Sequence, residues 1–127
     1  AAQVKELTGG EGVPVVYDSV CKATFVGSLE CLKRLGMMVN FGQASGPYDE
    51  FTTAMLAPKS LFLTRPTLFA YNATRAELEA SAAALFEVVE SGAVKVEVNQ
   101  SYPLAEAAEA HRDLEARKTT GSTILVP

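Results

Sequence analysis

What this sequence has little of narrows its function first. It holds two cysteines, Cys21 and Cys31, and one histidine, His111. Two thiols make no disulfide framework, so a reducing, cytoplasmic setting is expected. A lone imidazole with no carboxylate–histidine pattern beside it offers no ligand cluster, so no metal site is expected. Eleven Lys and Arg face fifteen Asp and Glu, for a net charge of −4 and a pI near 5.0. With no basic cluster, nucleic acid is not an expected partner. Apolar runs are too short to span a bilayer, so no membrane partner is expected, and no signal peptide is visible. A Gly-x-Ser-x-Gly elbow is absent, which leaves a hydrolase triad unsupported. Also absent is the glycine fingerprint that holds a dinucleotide pyrophosphate. Gly9-Gly10-Glu11-Gly12 precedes a strand, whereas that fingerprint follows one, so it reads as a helix stop and turn.

What is present is a strand–helix–strand pattern. Val13-Pro14-Val15-Val16-Tyr17 ends at Asp18-Ser19, and Met37-Met38-Val39-Asn40-Phe41 ends at Gly42. Both segments read as buried strands of a parallel sheet, with a helix over 22–33 between them. Phe25, Leu29 and Leu32 share that helix's apolar face. The 127 residues, 48% apolar and 20% charged, suit one globular domain better than two. The first residues, Ala1 to Thr8, already read as helix with no capping residue ahead of them, which suggests a cut inside a larger domain.

Further along, 51–58 is ambiguous, with a short helix stopped by Pro58 as one reading. Leu61-Phe62-Leu63-Thr64 is a strand that Pro66 places near a sheet edge. Thr74-Arg75-Ala76-Glu77 is a capping box that opens a helix running to Ser91, with Gly92 as its stop. Leu78, Ala82, Leu85 and Val89 form its expected buried stripe. Val94, Val96 and Val98 alternate with polar residues as a half-exposed strand would. Pro103 opens a helix to Arg117 with Leu104, Ala107, Ala108, His111 and Leu114 inside, and 122–126 is a last strand.

Ligands of open parallel sheets settle beyond the carboxyl ends of the strands. There, Phe41-Gly42-Gln43-Ala44-Ser45-Gly46 is the leading candidate, because its glycines let the backbone approach a flat ligand closely and offer free amides, the alternative being an ordinary strand-to-loop turn. Asp18 either binds a ribose or, more commonly for such a residue, caps the following helix. Cys21 stands where a helix start would favour a thiolate, or is simply packed. Arg65 and Arg117 flank turns, where an arginine binds an anion or is solvated.

Several segments together carry a family resemblance: Val4-Lys5-Glu6-Leu7-Thr8-Gly9-Gly10, Val15-Val16-Tyr17-Asp18-Ser19-Val20, Met37-Met38-Val39 with Phe41-Gly42, Leu63-Thr64-Arg65-Pro66, Tyr102-Pro103-Leu104, Ala110-His111-Arg112, and Thr120 to Pro127. Over essentially its whole length the chain resembles the C-terminal part of the zinc-independent, zeta-crystallin-like NADPH:quinone oxidoreductases of the medium-chain dehydrogenase/reductase superfamily. The resemblance implies an α/β fold, the second half of a doubly wound Rossmann-type parallel sheet. Residues 1–93 would belong to the dinucleotide-binding domain, and 94–127 would return to a GroES-like catalytic domain. It implies NADPH as cofactor and a quinone as substrate, with Ser19, Phe41, Gly42, Gln43, Arg65, Pro66, Thr67, Leu68 and Arg117 on the cofactor side. No acid–base dyad is needed, because hydride passes directly from cofactor to quinone. It further implies a homodimer through 61–71 and a piece inactive by itself. The family commonly has glycine at Cys21, asparagine at Gln43, and one more glycine between Lys59 and Ser60. A non-enzymatic structural or interaction protein on half a nucleotide-binding fold is the alternative.

Overall fold

The structure is a computed structural model that describes residues 1–127. Its residues cluster into two compact units, Ala1–Ala73 and Thr74–Pro127. All strand pairing is parallel, so the fold is the α/β class that the buried apolar runs imply.

The first unit opens with α1 (Ala2–Leu7), whose N-cap Ala1 makes no side-chain bond. Thr8 ends it by donating its hydroxyl to the Val4 carbonyl, at 2.8 Å. Strand β1 (Val13–Asp18) leads to α2 (Phe25–Cys31), then β2 (Leu32–Asn40), a 3-10 turn (Thr53–Lys59), β3 (Phe62–Thr64) and the short α3 (Leu68–Tyr71). The sheet order is β1-β2-β3. The ambiguous 51–58 segment is thus 3-10, and Pro58 lies within it.

Helix α2 is shorter than its sequence pattern. Leu32 is extended, with ψ 141, and pairs with Val13. The freed carbonyls at the helix end are met by Lys59, whose ammonium donates to Glu30 O at 2.9 Å and Leu32 O at 2.6 Å. Ladder pairing and this outside cap end the helix where periodicity would continue it. Between Val13 and Val15 the register jumps from Leu32 to Met37, and the looped-out residues include Leu35 at φ 62.

The core lies on the α2 side of the sheet: Cys21, Phe25, Leu29, Leu32, Met38 and Leu61. Burying each of the larger side chains contributes roughly 1.5–3 kcal/mol. Phe25 stacks on Tyr48 at 4.5 Å between ring centroids and meets Phe51 edge-on at 5.7 Å. The expectation that both strands are fully buried fails on the opposite face, where Val15, Tyr17 and Met37 are exposed. Burial needs a covering layer, and α2 supplies one on a single face.

The second unit comprises α4 (Arg75–Glu90), β4 (Val98–Pro103), a 3-10 turn (Leu104–Glu106), α5 (Ala107–Glu115) and β5 (Ser122–Val126), with β4 paired to β5. The capping box forms as its sequence dictates: Thr74 Oγ1 accepts from Glu77 N, and Glu77 Oε2 accepts from Thr74 N at 2.8 Å. Its stripe forms too, but Leu78 and Leu85 are exposed rather than buried. The valine alternation at 94–98 becomes strand only from Val98, since β5 offers partners from Ser122 onward and 94–97 has none in the ladder. Pro103 closes β4 opposite Val126. In α5 only Ala110 is buried, while Leu104, His111 and Leu114 lie outside. Asp113 ties α5 to β4, accepting from Tyr102 Oη at 2.9 Å, and also accepts from Lys118 Nζ at 2.9 Å.

Gly12 shows how closely the β1 entry packs. Its φ is +85, and a Cβ would stand 2.4 Å from the Cys31 carbonyl oxygen. Gly9, at φ +61, has open space around it. Gly9→Ala should therefore cost about 1 kcal/mol for its left-handed backbone alone. Gly12→Ala should cost at least about 2 kcal/mol more, because backbone must move. Urea denaturation of both variants checks the difference.

Candidate functional site

The carboxyl ends of β1, β2 and β3 come together at one end of the first unit, and one carboxylate organises them. Asp18 is 5% exposed. Its Oδ1 accepts from the amides of Val20 at 2.8 Å and Cys21 at 2.9 Å. Its oxygens also accept from the Thr24 hydroxyl at 2.9 and 2.8 Å, and Oδ2 from the Ser28 hydroxyl at 2.8 Å. Burial pushes the carboxyl up, but the bonds from Cys21, Ser28, Thr24 and Val20 outweigh it and hold it below the ordinary carboxylate range. Its lone pairs are committed to the β1–α2 turn and to two hydroxyls, and no amide of α2 donates to it, so Asp18 closes the turn and is neither a helix cap nor free for a ribose.

The loop after β2 is pinned onto that turn. Phe41 N donates to Asp18 O at 2.9 Å, Ala44 N to Ser19 O at 3.1 Å, and Ser45 N to Val20 O at 3.0 Å. In return Lys22 N donates to Gly46 O at 3.1 Å. The Ser45 hydroxyl donates to Val20 O at 2.7 Å and accepts from Ala23 N at 2.9 Å. Gly42 makes the approach possible: a Cβ there would sit 2.4 Å from Ser19 O. Between these staples the amides of Gly42 and Gln43 have no protein acceptor, beside the exposed ring of Phe41. This is a backbone ledge with two free donors, which fits the carboxamide or phosphate oxygens of a nucleotide cofactor.

Arg65 follows β3, and its Nη1 donates to the backbone carbonyl of Asn40 at 3.2 Å. Pro66 and Thr67 come next, Thr67 capping α3 by accepting from Ala70 N, and Leu68 is exposed. The structure thus gathers Ser19, Phe41, Gly42, Gln43 and Arg65–Leu68 at the strand ends of one unit. Arg117 belongs to the second unit, where it is exposed at φ 56 just beyond α5. Cys21 is buried at φ 69, a conformation that favours glycine, and its carbonyl accepts from Thr24 N and Phe25 N at 2.8 Å. His111 lines a surface groove with Ala110, Leu114, Thr123 and Leu125. No group of three or more His, Cys, Asp or Glu is placed to hold a metal ion.

Sequence reasoning missed Asn40, Phe25, Tyr48 and Phe51, which with Cys21, Gln43, Leu63 and Arg65 line an open pocket of about 210 Å³ at these strand ends. The one available signal was an amide side chain ending the apolar run Met37-Met38-Val39.

Comparison with known proteins gives the chain a family and a set of relatives. A family profile described as zinc-binding dehydrogenase matches residues 1–125. A quinone oxidoreductase of Pseudomonas aeruginosa is 50% identical over 128 residues, covering 100% of this chain and 39% of its own length. A 2-haloacrylate reductase of a Burkholderia species is 42% identical, again over 100% of this chain and 39% of its own length. The crystal structure of Escherichia coli quinone oxidoreductase complexed with NADPH superposes with a TM-score of 0.91 at 46% identity, covering 99% of this chain and 40% of that one. The chain therefore spans about 39% of the length of the curated relatives it matches.

Asp18→Ala should cost roughly 3 kcal/mol of stability, because it leaves the buried amide of Cys21 and the Ser28 hydroxyl without their acceptor. Since the native carboxyl titrates below its unfolded value of 3.8, its contribution is complete above that pH. It is lost as pH falls through the lower native value. Denaturant titrations between about pH 7 and 2 should show a shallower acid limb in the variant.

Proposed function

This chain belongs to the zinc-binding dehydrogenase family, and on that premise we propose that it forms part of an oxidoreductase that passes hydride from NADPH to a quinone. The observation that carries the reading is the ledge at the strand ends. Two unpartnered amides, at Gly42 and Gln43, sit beside Phe41 on a loop stapled to the β1–α2 turn. Quinone oxidoreductases at 47–50% identity support the quinone, and the NADPH complex of the Escherichia coli enzyme supports the cofactor. When bound, NADPH supplies the hydride. The chain's residues then bind and orient: Ser19, Gly42 and Gln43 present backbone to the cofactor, Phe41 shields its ring from water, and Arg65, tethered at Asn40, supplies fixed positive charge. Pro66, Thr67 and Leu68 continue that wall. The 127 residues carry no phosphate-binding glycine fingerprint, so alone they hold NADPH weakly and are inactive. The chemistry needs no zinc. The 2-haloacrylate reductase among the relatives favours a second reading in which an activated alkene is the acceptor.

The reading extends to assembly and place. Phe62, Leu68, Phe69 and Tyr71 are exposed on and after the edge strand β3. Pairing of two such edges across 61–71 forms a homodimer. No helix is long and apolar enough to cross a membrane.

Two arginines separate the site from ordinary surface charge. Arg75 pairs with Glu79 at 2.6 Å on an exposed helix face. In the full reading frame that encodes these residues, Arg65→Ala should lower kcat/KM for quinone by about tenfold or more, roughly 1.4 kcal/mol of transition-state binding. Arg75→Ala should stay within about twofold. Equal losses would remove the role given to Arg65, and loss of activity on chelation would contradict the zinc-free reading.

A further inference from the structure

A separate recess lies at the other end of the first unit's sheet. Helix α2 runs back from the carboxyl end of β1 to the start of β2, so its last turns stand beside the first residues of β2 and β3. There Val26, Leu29, Met55, Pro58 and Leu61 line an open groove of about 410 Å³ between α1, α2 and the 3-10 turn. Leu29 and Leu61 belong to the packed core, which makes the floor firm, while Val26 is 44% exposed. Lys59 holds the groove open. Its ammonium turns onto Glu30 O and Leu32 O, which fixes the 3-10 turn against the end of α2, so its methylene stem serves as wall. Lys5 and Glu30 complete the lining, both exposed and neither in an ion pair.

Small-molecule sites of about 300–1,000 Å³ pair mostly apolar walls with a few polar groups that fix orientation. This groove has that size and make-up. No aromatic ring lines it, and a methionine among aliphatic side chains adapts to a flexible chain better than to a flat ring. Benzene fills an apolar cavity of about 150 Å³, so this volume takes a longer chain, roughly eight to ten carbons with its head in water. Two lysines against one glutamate leave the lining with a net charge of +1, which favours an anionic head. We infer that the groove binds an unbranched aliphatic monocarboxylate, its chain along Val26, Leu29 and Leu61 and its carboxylate at the unpaired Lys5 ammonium. Glu30 opposes the anion and keeps the affinity modest. The inference goes beyond the redox reading and does not depend on it, since neither NADPH nor the strand-end loops take part.

The test uses the full reading frame that encodes these residues, with carbon-13 in the methionine methyl groups, and two probes of equal tail and opposite head, octanoate and octylammonium. Octanoate should shift the Met55 methyl resonance and leave that of Met37, exposed on the opposite face of the sheet, in place. It should bind at least about threefold more tightly than octylammonium at low salt, a preference that shrinks as salt is added. Lys5→Gln should remove the preference, and Glu30→Gln should strengthen octanoate binding by about twofold or more. Val26→Asp, which puts a carboxylate in the apolar wall, should abolish the Met55 shift. All three positions are exposed on helices, so the fold tolerates the changes. An unmoved Met55 methyl, octylammonium bound as tightly as octanoate, or a preference that survives Lys5→Gln would overturn the inference.

Discussion

A single buried carboxylate holds the loops at the strand ends of the first unit together. Asp18 closes the β1–α2 turn through the amides of Val20 and Cys21 and reaches into α2 at Thr24 and Ser28. The turn so fixed becomes a template for the next loop, whose amides at Phe41, Ala44 and Ser45 donate to the carbonyls of Asp18, Ser19 and Val20 in sequence. One ion, kept charged by its donors against the cost of burial, therefore sets the height and direction of the Gly42–Gln43 ledge. Preorganised backbone donors of this kind act on a ligand without rearrangement when it arrives.

How far the sequence shows this depends on range. The Thr74 capping box is legible because its four residues satisfy one another locally. The parallel class is legible because apolar runs with a helix between them have few other arrangements. The end of α2 is not, since Leu32 answers to Val13 and to a lysine from 27 residues away rather than to its own helix. Nor is the exposure of Leu78 and Leu85 on α4, because periodicity names a face without naming what covers it.

At the site, glycine in the loop after β2 signals close backbone approach, but the partner Gly42 meets is the chain's own Ser19, which only the fold supplies. Asp18 reads from sequence as a ribose ligand or a helix cap, and the fold gives it neither role: it closes the turn through Val20 and Cys21 and binds hydroxyls six and ten residues onward. Arg65 drew notice as an arginine beside a turn. Its tether to the Asn40 carbonyl needed the fold to appear. The unpartnered Nδ2 of Asn40 is likewise a property of the fold, since nothing in a linear pattern reports a donor deprived of its acceptor.

The most direct test of the account is amide hydrogen exchange on the full reading frame that encodes these residues, with and without NADPH, in wild type and Asp18→Ala. The account predicts cofactor protection at Gly42 and Gln43 in the wild type and its loss in the variant, even under conditions where the variant stays folded. Exchange at Gly42 and Gln43 that is indifferent to NADPH, or protection that persists without the Asp18 carboxylate, would contradict it.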